Sequence, residues 1–152
     1  MWKKFVRKKS SKKVTHPIKE IPLNEIKKAI REYSNTLPNT VPLSVLIHED
    51  NRINVELLTP FLKAIPHKPF YMSKETYEVF EENNKHLAHY LDKIQRAVDA
   101  YIAQEKKLPI IDNDPYNKVS YYKLERLGLL DQRPPLDFFL TDEENLITIE
   151  KK

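Results

Sequence analysis

Two histidines, His86 and His89, are the clearest candidates for metal chemistry in this sequence. Residues three or four apart on a helix lie on the same face, and Glu82 lies one turn before His86 on that face. A zinc site needs further ligands and some enclosure. This face is opposite the apolar one, and it also carries Lys93, whose charge repels a cation. We therefore interpret these residues as a polar helix face in contact with water, and we predict no metal site.

Two acidic clusters raise the question of calcium binding and of acid–base catalysis. Asp112-Asn113-Asp114 resembles the start of a calcium-binding loop, but Asn117 and Lys123 occupy the positions at which that loop needs glycine and glutamate. We therefore predict an Asx turn there. Asp142, Glu143 and Glu144 lie at a predicted hairpin tip, which rarely gives carboxylates the contrasting environments that acid–base catalysis requires. We predict no catalytic residue and no cofactor.

The composition excludes several classes of site. The chain has no cysteine, which excludes disulfides, thiolate metal sites and cysteine nucleophiles. Gly128 is its one glycine, so the glycine-rich loops that hold nucleotide phosphates are excluded as well. Apolar runs reach only about four residues, whereas a membrane-spanning helix needs about 20. We expect a cytoplasmic protein.

The strongest functional signal is the charge of the first 13 residues. They contain seven Lys or Arg and no acidic residue, and removing them from the total of 26 basic and 22 acidic residues leaves 14–152 with a net charge of −3. Each cation near an anionic leaflet contributes about 1 kcal/mol, and aromatic rings favour the headgroup region. We predict that this arm binds an anionic membrane surface, with these residues in contact: Trp2, Lys3, Lys4, Phe5, Arg7, Lys8 and Lys9.

The charges of the arm also permit other interpretations. Binding to nucleic acid uses the same Lys and Arg side chains and depends strongly on salt, and a tail that is merely solvated has no partner at all. We expect a non-enzymatic cytoplasmic interaction protein that the arm docks on the inner membrane face, with an unidentified protein partner. The alternatives are a nucleic-acid-binding accessory protein and a small enzyme whose site is assembled from residues distant in sequence.

The pattern of apolar residues predicts an α+β fold, in which one long amphipathic helix and shorter helices pack on a small, mostly antiparallel sheet. We expect residues 1–16 to be a disordered basic arm and residues 17–152 to be a single domain. A first helix with Asn24 as its N-cap runs to residue 37, after a short edge strand at Ile18. Ser73 is the predicted N-cap of the long helix, residues 74–105, whose apolar face includes Phe80, Leu87, Leu91, Ile94 and Val98.

The remaining elements follow from alternation and from helix-capping residues. Alternating apolar residues over 41–47 and 53–57 predict a hairpin, and residues 70–72 predict a third strand. Ser120 is the predicted N-cap of a short helix that Gly128 ends in the left-handed conformation. Residues 136–140 and 146–149 are predicted to form a closing hairpin.

The stretch from His16 to Ile149 resembles a family of short uncharacterised proteins from Gram-positive bacilli. Four segments carry the resemblance: VPLSVLIHED, KPFYMSKETYEVFEE, IQRAVDAYI and DFFLTDEENLIT. The resemblance implies a cytoplasmic protein, and it supplies no catalytic residue that could be carried over to this chain.

Overall fold

The structure, a computed structural model, describes residues 16–150 and has the predicted α+β architecture. A 21-residue helix, α3, is its longest element. The elements in chain order are β1 (Ile18–Lys19), α1 (Leu23–Ser34), α2 (Thr59–Leu62), β2 (Ile65–Pro66), β3 (Phe70–Met72), β4 (Val79–Glu81), α3 (Lys85–Glu105), α4 (Tyr121–Arg126), β5 (Phe139–Leu140) and β6 (Ile147–Thr148). Three short 3-10 helices occupy Leu43–Leu46, Val55–Leu58 and Glu82–Asn84.

Within this part of the chain the strands form three two-stranded sheets. β1 and β2 are parallel, whereas the pairs β3–β4 and β5–β6 are antiparallel. Each pair is too short to be stable by itself, because an isolated hairpin is at best marginally stable in water. The pairs are therefore stabilised by the apolar side chains that pack against them.

The described residues contain two clusters of buried apolar side chains, and helix α3 belongs to the first of them. Leu91, Ile94 and Val98 have no exposed surface and recur at three- and four-residue spacing. They pack in the cluster that also includes residues of α4, β5 and β6. The second cluster lies between α1, the 3-10 helices and the β3–β4 hairpin, and it is centred on these buried residues: Ile26, Leu46, Ile53, Leu58 and Met72.

The long helix begins 11 residues later than the sequence pattern predicted, at Lys85 rather than at residue 74. Residues 73–78 form a loop, and Phe80 pairs with Tyr71 in the β3–β4 hairpin. Phe80 has the correct phase for the helical apolar face, but strand pairing buries it equally well. Ser73 was predicted to cap the helix. Its hydroxyl instead accepts hydrogen bonds from the backbone N–H groups of Glu75 and Thr76, inside the hairpin loop.

The predicted hairpin over residues 41–57 is also wrong. Both of its strands are replaced by 3-10 helices, and one isolated bridge, between Ile47 and Ile53, is what is left of the pairing. Leu46 and Leu58, which have the opposite phase, are fully buried, whereas Val45 and Leu57 of the alternating set are exposed. The alternation therefore predicted both the backbone conformation and the buried side incorrectly.

Other predictions from the sequence agree more closely with the structure. The edge strand at Ile18, the strand at residues 70–72 and the closing hairpin are present. Ser120 caps α4 by accepting from the N–H of Lys123 at 3.2 Å, and Gly128 has a φ of 72°. Asn24 lies within α1, whose N-cap is Pro22.

The buried carboxylate of Asp92, on α3, connects this helix to the loop between β3 and β4 and to the turn at Asn51. Its Oδ1 accepts from the Ser73 hydroxyl at 2.6 Å and from the Glu75 N–H at 3.0 Å, and its Oδ2 accepts from the Asn51 side-chain amide at 2.7 Å. Asp92 is 3% exposed. A carboxylate at this depth is stable only because its oxygens are hydrogen-bonded. The loop before β4 and the turn at Asn51 are therefore both attached to α3.

One turn further along α3, Gln95 attaches the helix to the closing hairpin in the same way. Its side-chain amide donates to the carbonyl of Asn145 at 3.0 Å, and its oxygen accepts from the N–H of Ile147 at 2.8 Å. Two neighbouring polar side chains on a single helix thus connect opposite parts of the chain.

Substituting Asp92 with Ala is expected to lower the free energy of unfolding by about 3 kcal/mol, because three donors lose a charged acceptor and two of them are buried side chains. Urea denaturation followed by circular dichroism measures the change. The control is Glu105→Ala, which removes an exposed acidic side chain from the same helix. It should change the stability by less than about 0.5 kcal/mol. Equal stability of the two variants would show that the buried network contributes nothing.

Candidate interaction surfaces

All seven residues predicted to contact an anionic surface, from Trp2 to Lys9, lie outside the described residues. Their role, and the disordered arm to which they were assigned, stay predictions. What the structure does describe is the place where the chain leaves the arm. This is the segment from His16 through strand β1.

Strand β1 is fastened to the folded part of the chain by pairing with β2. The N–H of Ile65 donates to the carbonyl of Pro17 at 2.8 Å, and the N–H of His67 donates to the carbonyl of Lys19 at 2.7 Å. The register places Ile18 beside Ile65. Because register partners project from the same side of a sheet, these two isoleucines form an apolar pair.

This apolar pair is exposed, and cations surround it. Ile18 is 68% exposed and Ile65 is 36% exposed. Residues 16–19 and 63–68 contain three lysines and two histidines and no acidic residue. We use the term β1–β2 surface for the exposed residues of these two segments: Pro17, Ile18, Lys19, Lys63, Ile65, His67 and Lys68.

The charge of the β1–β2 surface is opposite to that of the chain around it. The total of 26 basic residues, less the seven in residues 1–13 and the two terminal lysines, leaves 17 against 22 acidic residues in 16–150, a net charge of −5. The adjoining cleft is itself acidic, with Glu20, Glu81 and Glu82 in its walls. The β1–β2 surface therefore continues the basic and apolar character of the arm onto an otherwise acidic body.

The surface was not predicted from the sequence, because its two segments are far apart in the chain. Only the pairing of Ile18 with Ile65 brings the three lysines together. The one usable signal was the run of residues 63–68, which has two lysines and a histidine and lacks acidic residues.

The two histidines of α3 lie on an exposed face of the helix. His86 and His89 are exposed, and both rings contact the ring of Tyr90. Lys93 pairs with Asp131 at 3.2 Å. Over residues 16–150, no group of three His, Cys, Asp or Glu side chains is placed to hold a metal ion.

The acidic motifs are used in turns. Asp114 accepts hydrogen bonds from the N–H groups of Tyr116 and Lys118, which confirms the predicted Asx turn. Asp112 pairs with Lys123 at 3.1 Å. Asp142, Glu143 and Glu144 are exposed in the turn between β5 and β6.

A second surface feature is a groove of about 690 Å³ between α1 and the β3–β4 loop. We call it the α1 groove. Lys27, Lys28 and Arg31 of α1 line one side, and Tyr77 lies on the other. Leu43, Met72 and Val79 give the groove an apolar part.

Tyr77 has an unfavourable backbone conformation. Its φ is 64°, in the left-handed region where a bulky side chain costs about 1–2 kcal/mol. The loop enforces this conformation, since the N–H of Tyr77 donates to the Ser73 carbonyl at 3.0 Å and the N–H of Ser73 donates to the Glu78 carbonyl at 2.9 Å. The ring is 39% exposed. Because much of the side chain is exposed, burial offsets little of the cost of this backbone conformation. Tyr77 is therefore a candidate for a role in binding.

Comparison with known proteins gives a family. A protein-family model described as "Protein of unknown function (DUF3939)" matches residues 16–149. The chain belongs to this family. The match confirms the resemblance to uncharacterised proteins, while the origin in Gram-positive bacilli stays a prediction. No curated protein and no solved structure matches the chain.

The matched range of this family member covers both the β1–β2 surface and the α1 groove, and residues 1–15 lie outside it. Among the helices of residues 16–150, none has the length and apolar content needed to cross a bilayer.

The strain at Tyr77 predicts a difference between two substitutions that both remove the ring. Tyr77→Asn should be more stable than Tyr77→Ala by about 1 kcal/mol, because asparagine tolerates the left-handed conformation and alanine does not. Thermal and urea denaturation of the two variants measure the difference. If Tyr77→Ala is as stable as Tyr77→Asn, the backbone at this position is not strained.

Proposed function

We propose that this DUF3939 family member is an interaction protein docked on an anionic membrane surface, and that its folded body binds a protein partner there. The N-terminal arm supplies the first contact. Trp2 and Phe5 enter the headgroup region, and the cations Lys3, Lys4, Arg7, Lys8 and Lys9 face anionic lipids. The proposal includes a location at the inner face of the cytoplasmic membrane.

The β1–β2 surface is the observation that carries this proposal. It lies where the chain leaves the arm, and it repeats the composition of the arm with exposed isoleucines among lysines. Each lysine close to an anionic leaflet contributes about 1 kcal/mol. Ile18 and Ile65 add apolar contact at the boundary between headgroups and acyl chains, as the apolar side of an interfacial helix does.

The apolar residues favour a membrane over nucleic acid. Phosphates of nucleic acid bind the cations of the arm equally well, and most of that affinity is electrostatic. Exposed isoleucines beside the lysines gain little from a phosphate backbone, whereas a bilayer offers them an apolar environment.

Removing the arm should abolish binding to anionic vesicles. The full chain is expected to sediment with vesicles that contain phosphatidylserine and to stay in solution with phosphatidylcholine vesicles, because seven cations contribute about 7 kcal/mol before ordering costs. A chain that begins at Thr15 should lose most of this binding. Equal sedimentation of the two chains would exclude docking by the arm.

A mobility-shift assay of the same two chains on DNA and RNA distinguishes nucleic-acid binding from membrane docking. A shift at low salt that depends on the arm, together with weak vesicle binding, would replace membrane docking by nucleic-acid binding. No shift is expected at physiological salt.

Reversing two charges of the β1–β2 surface should weaken membrane binding more than reversing two charges elsewhere. Losing the cations of Lys63 and Lys68 removes about 2 kcal/mol, or about 30-fold in affinity for anionic vesicles, and glutamate in their place adds repulsion. Vesicle titration of the Lys63→Glu/Lys68→Glu variant of the full chain measures the loss.

The control for this change is Lys106→Glu/Lys107→Glu. It alters the net charge by the same amount, and Lys63 and Lys106 are both left-handed residues that end a helix. If the two double variants bind equally weakly, total charge explains the effect and the β1–β2 surface has no special part in it.

A further inference from the structure

The α1 groove carries three cations that form no ion pair with an acidic side chain of residues 16–150. Lys27, Lys28 and Arg31 are neighbours on one side of α1, and none of them takes part in an ion pair with another residue of the described chain. Glu32 and Glu78 also line the groove, which leaves it with a net charge of +1.

The other side of the groove offers apolar and aromatic contacts. Leu43 supplies half-buried apolar surface from a 3-10 helix, whereas Met72 and Val79, in the paired strands β3 and β4, are buried behind it. The Tyr77 ring stands at the edge in its left-handed backbone conformation. Aromatic rings are enriched at protein interfaces, because they supply a large contact area with little side-chain entropy to lose.

The dimensions of the groove suit a peptide segment. The lining residues of α1 run from Lys27 to Asn35, a rise of about 12 Å along the helix. This length matches about four residues of extended chain or about two turns of helix. A small anion would leave the apolar side of the groove in contact with water.

We propose that the α1 groove binds an acidic segment of a partner protein, with one or more apolar side chains placed against Tyr77 and Leu43. The carboxylates of the segment pair with Lys27, Lys28 and Arg31. The inference rests on the proposed function, in which the folded body binds a protein partner, and it specifies the chemistry of that partner.

The rigidity of the groove supports this proposal. The loop that presents Tyr77 is bound to α3 through Asp92, which accepts from Ser73 and Glu75 on either side of Lys74. Met72 is fixed by the hydrogen bonds that it exchanges with Asn51, at 2.8 Å and 3.0 Å. A groove that is already formed avoids the ordering cost of binding on one of the two partners.

The test selects peptides from a random 12-residue phage-display library on the immobilised full chain, without lipid. The expected result is enrichment of peptides rich in Asp and Glu with at least one Leu, Ile, Phe or Trp. The full chain has a net charge of +4 and its arm carries seven cations, so the arm also attracts acidic peptides, and the variants described next separate the groove from the arm. Enrichment of basic peptides, or no enrichment, would overturn the proposal.

Fluorescence anisotropy of the strongest selected peptide then locates its site. Lys27→Glu/Lys28→Glu/Arg31→Glu should weaken binding at least tenfold, and Tyr77→Asn about fivefold while the fold is retained. Lys106→Glu/Lys107→Glu, at the far end of α3, should stay within twofold of the unchanged protein. Equal binding by the triple variant and the unchanged protein would place the peptide elsewhere and exclude the groove.

This result is independent of the membrane experiments, because no vesicle is present. Loss of vesicle binding without the arm, combined with failure of peptide selection, leaves membrane docking in place and removes only the α1 groove. If the chain selects acidic peptides but does not bind vesicles, only membrane docking is excluded and peptide binding by the α1 groove stays in place.

Discussion

The hydrogen-bonded carboxylate of Asp92 is the constraint on which the α1 groove depends. A buried carboxylate is costly unless donors surround it, and here the donors come from the β3–β4 loop and from the turn at Asn51. The same bonds that stabilise the charge fix the path of both segments. The left-handed conformation of Tyr77 is thus determined from the interior of the molecule, through Ser73, and not by the ring itself.

The β3–β4 hairpin contributes residues to both apolar clusters, and α3 adds polar connections to the loops on two sides. One cluster of apolar residues is centred on α1 and the other packs against α4 and the closing hairpin. Asp92 and Gln95, three residues apart, connect α3 to the loops on the two sides. Polar side chains at these positions fix which segments meet the helix, and the apolar side chains around them supply most of the stabilisation.

The sequence predicted what depends on local pattern and missed what depends on pairing. The cap at Ser120, the left-handed Gly128 and the closing hairpin follow from neighbouring residues, and the structure contains them. The role of Asp92 could not be predicted, because its partners Asn51 and Ser73 lie 41 and 19 residues away. Phe80 shows the same limit, since its spacing fits a helical face and a strand alike.

The candidate surfaces also differ in whether the sequence alone shows them. The charge of the first 13 residues is visible in the sequence, whereas the β1–β2 surface exists only because strand pairing joins two short segments. Lys27, Lys28 and Arg31 are visible in the sequence as well, but Glu25 and Glu32 offset their charge, so the sequence predicts no basic groove on the body. In the structure these cations instead line a groove.

The shortness of β1 has a mechanical consequence for a body held through its N-terminus. Backbone hydrogen bonds, such as those from Ile65 and His67 to the carbonyls of Pro17 and Lys19, fasten this strand to β2. A pull along the strand loads them together because they run across it. The next element, α1, buries Ile26 and Ile30 and resists force much more strongly. Tension on such a tether would first release the two residues of β1 and lengthen it by about 7 Å, while the core stays intact.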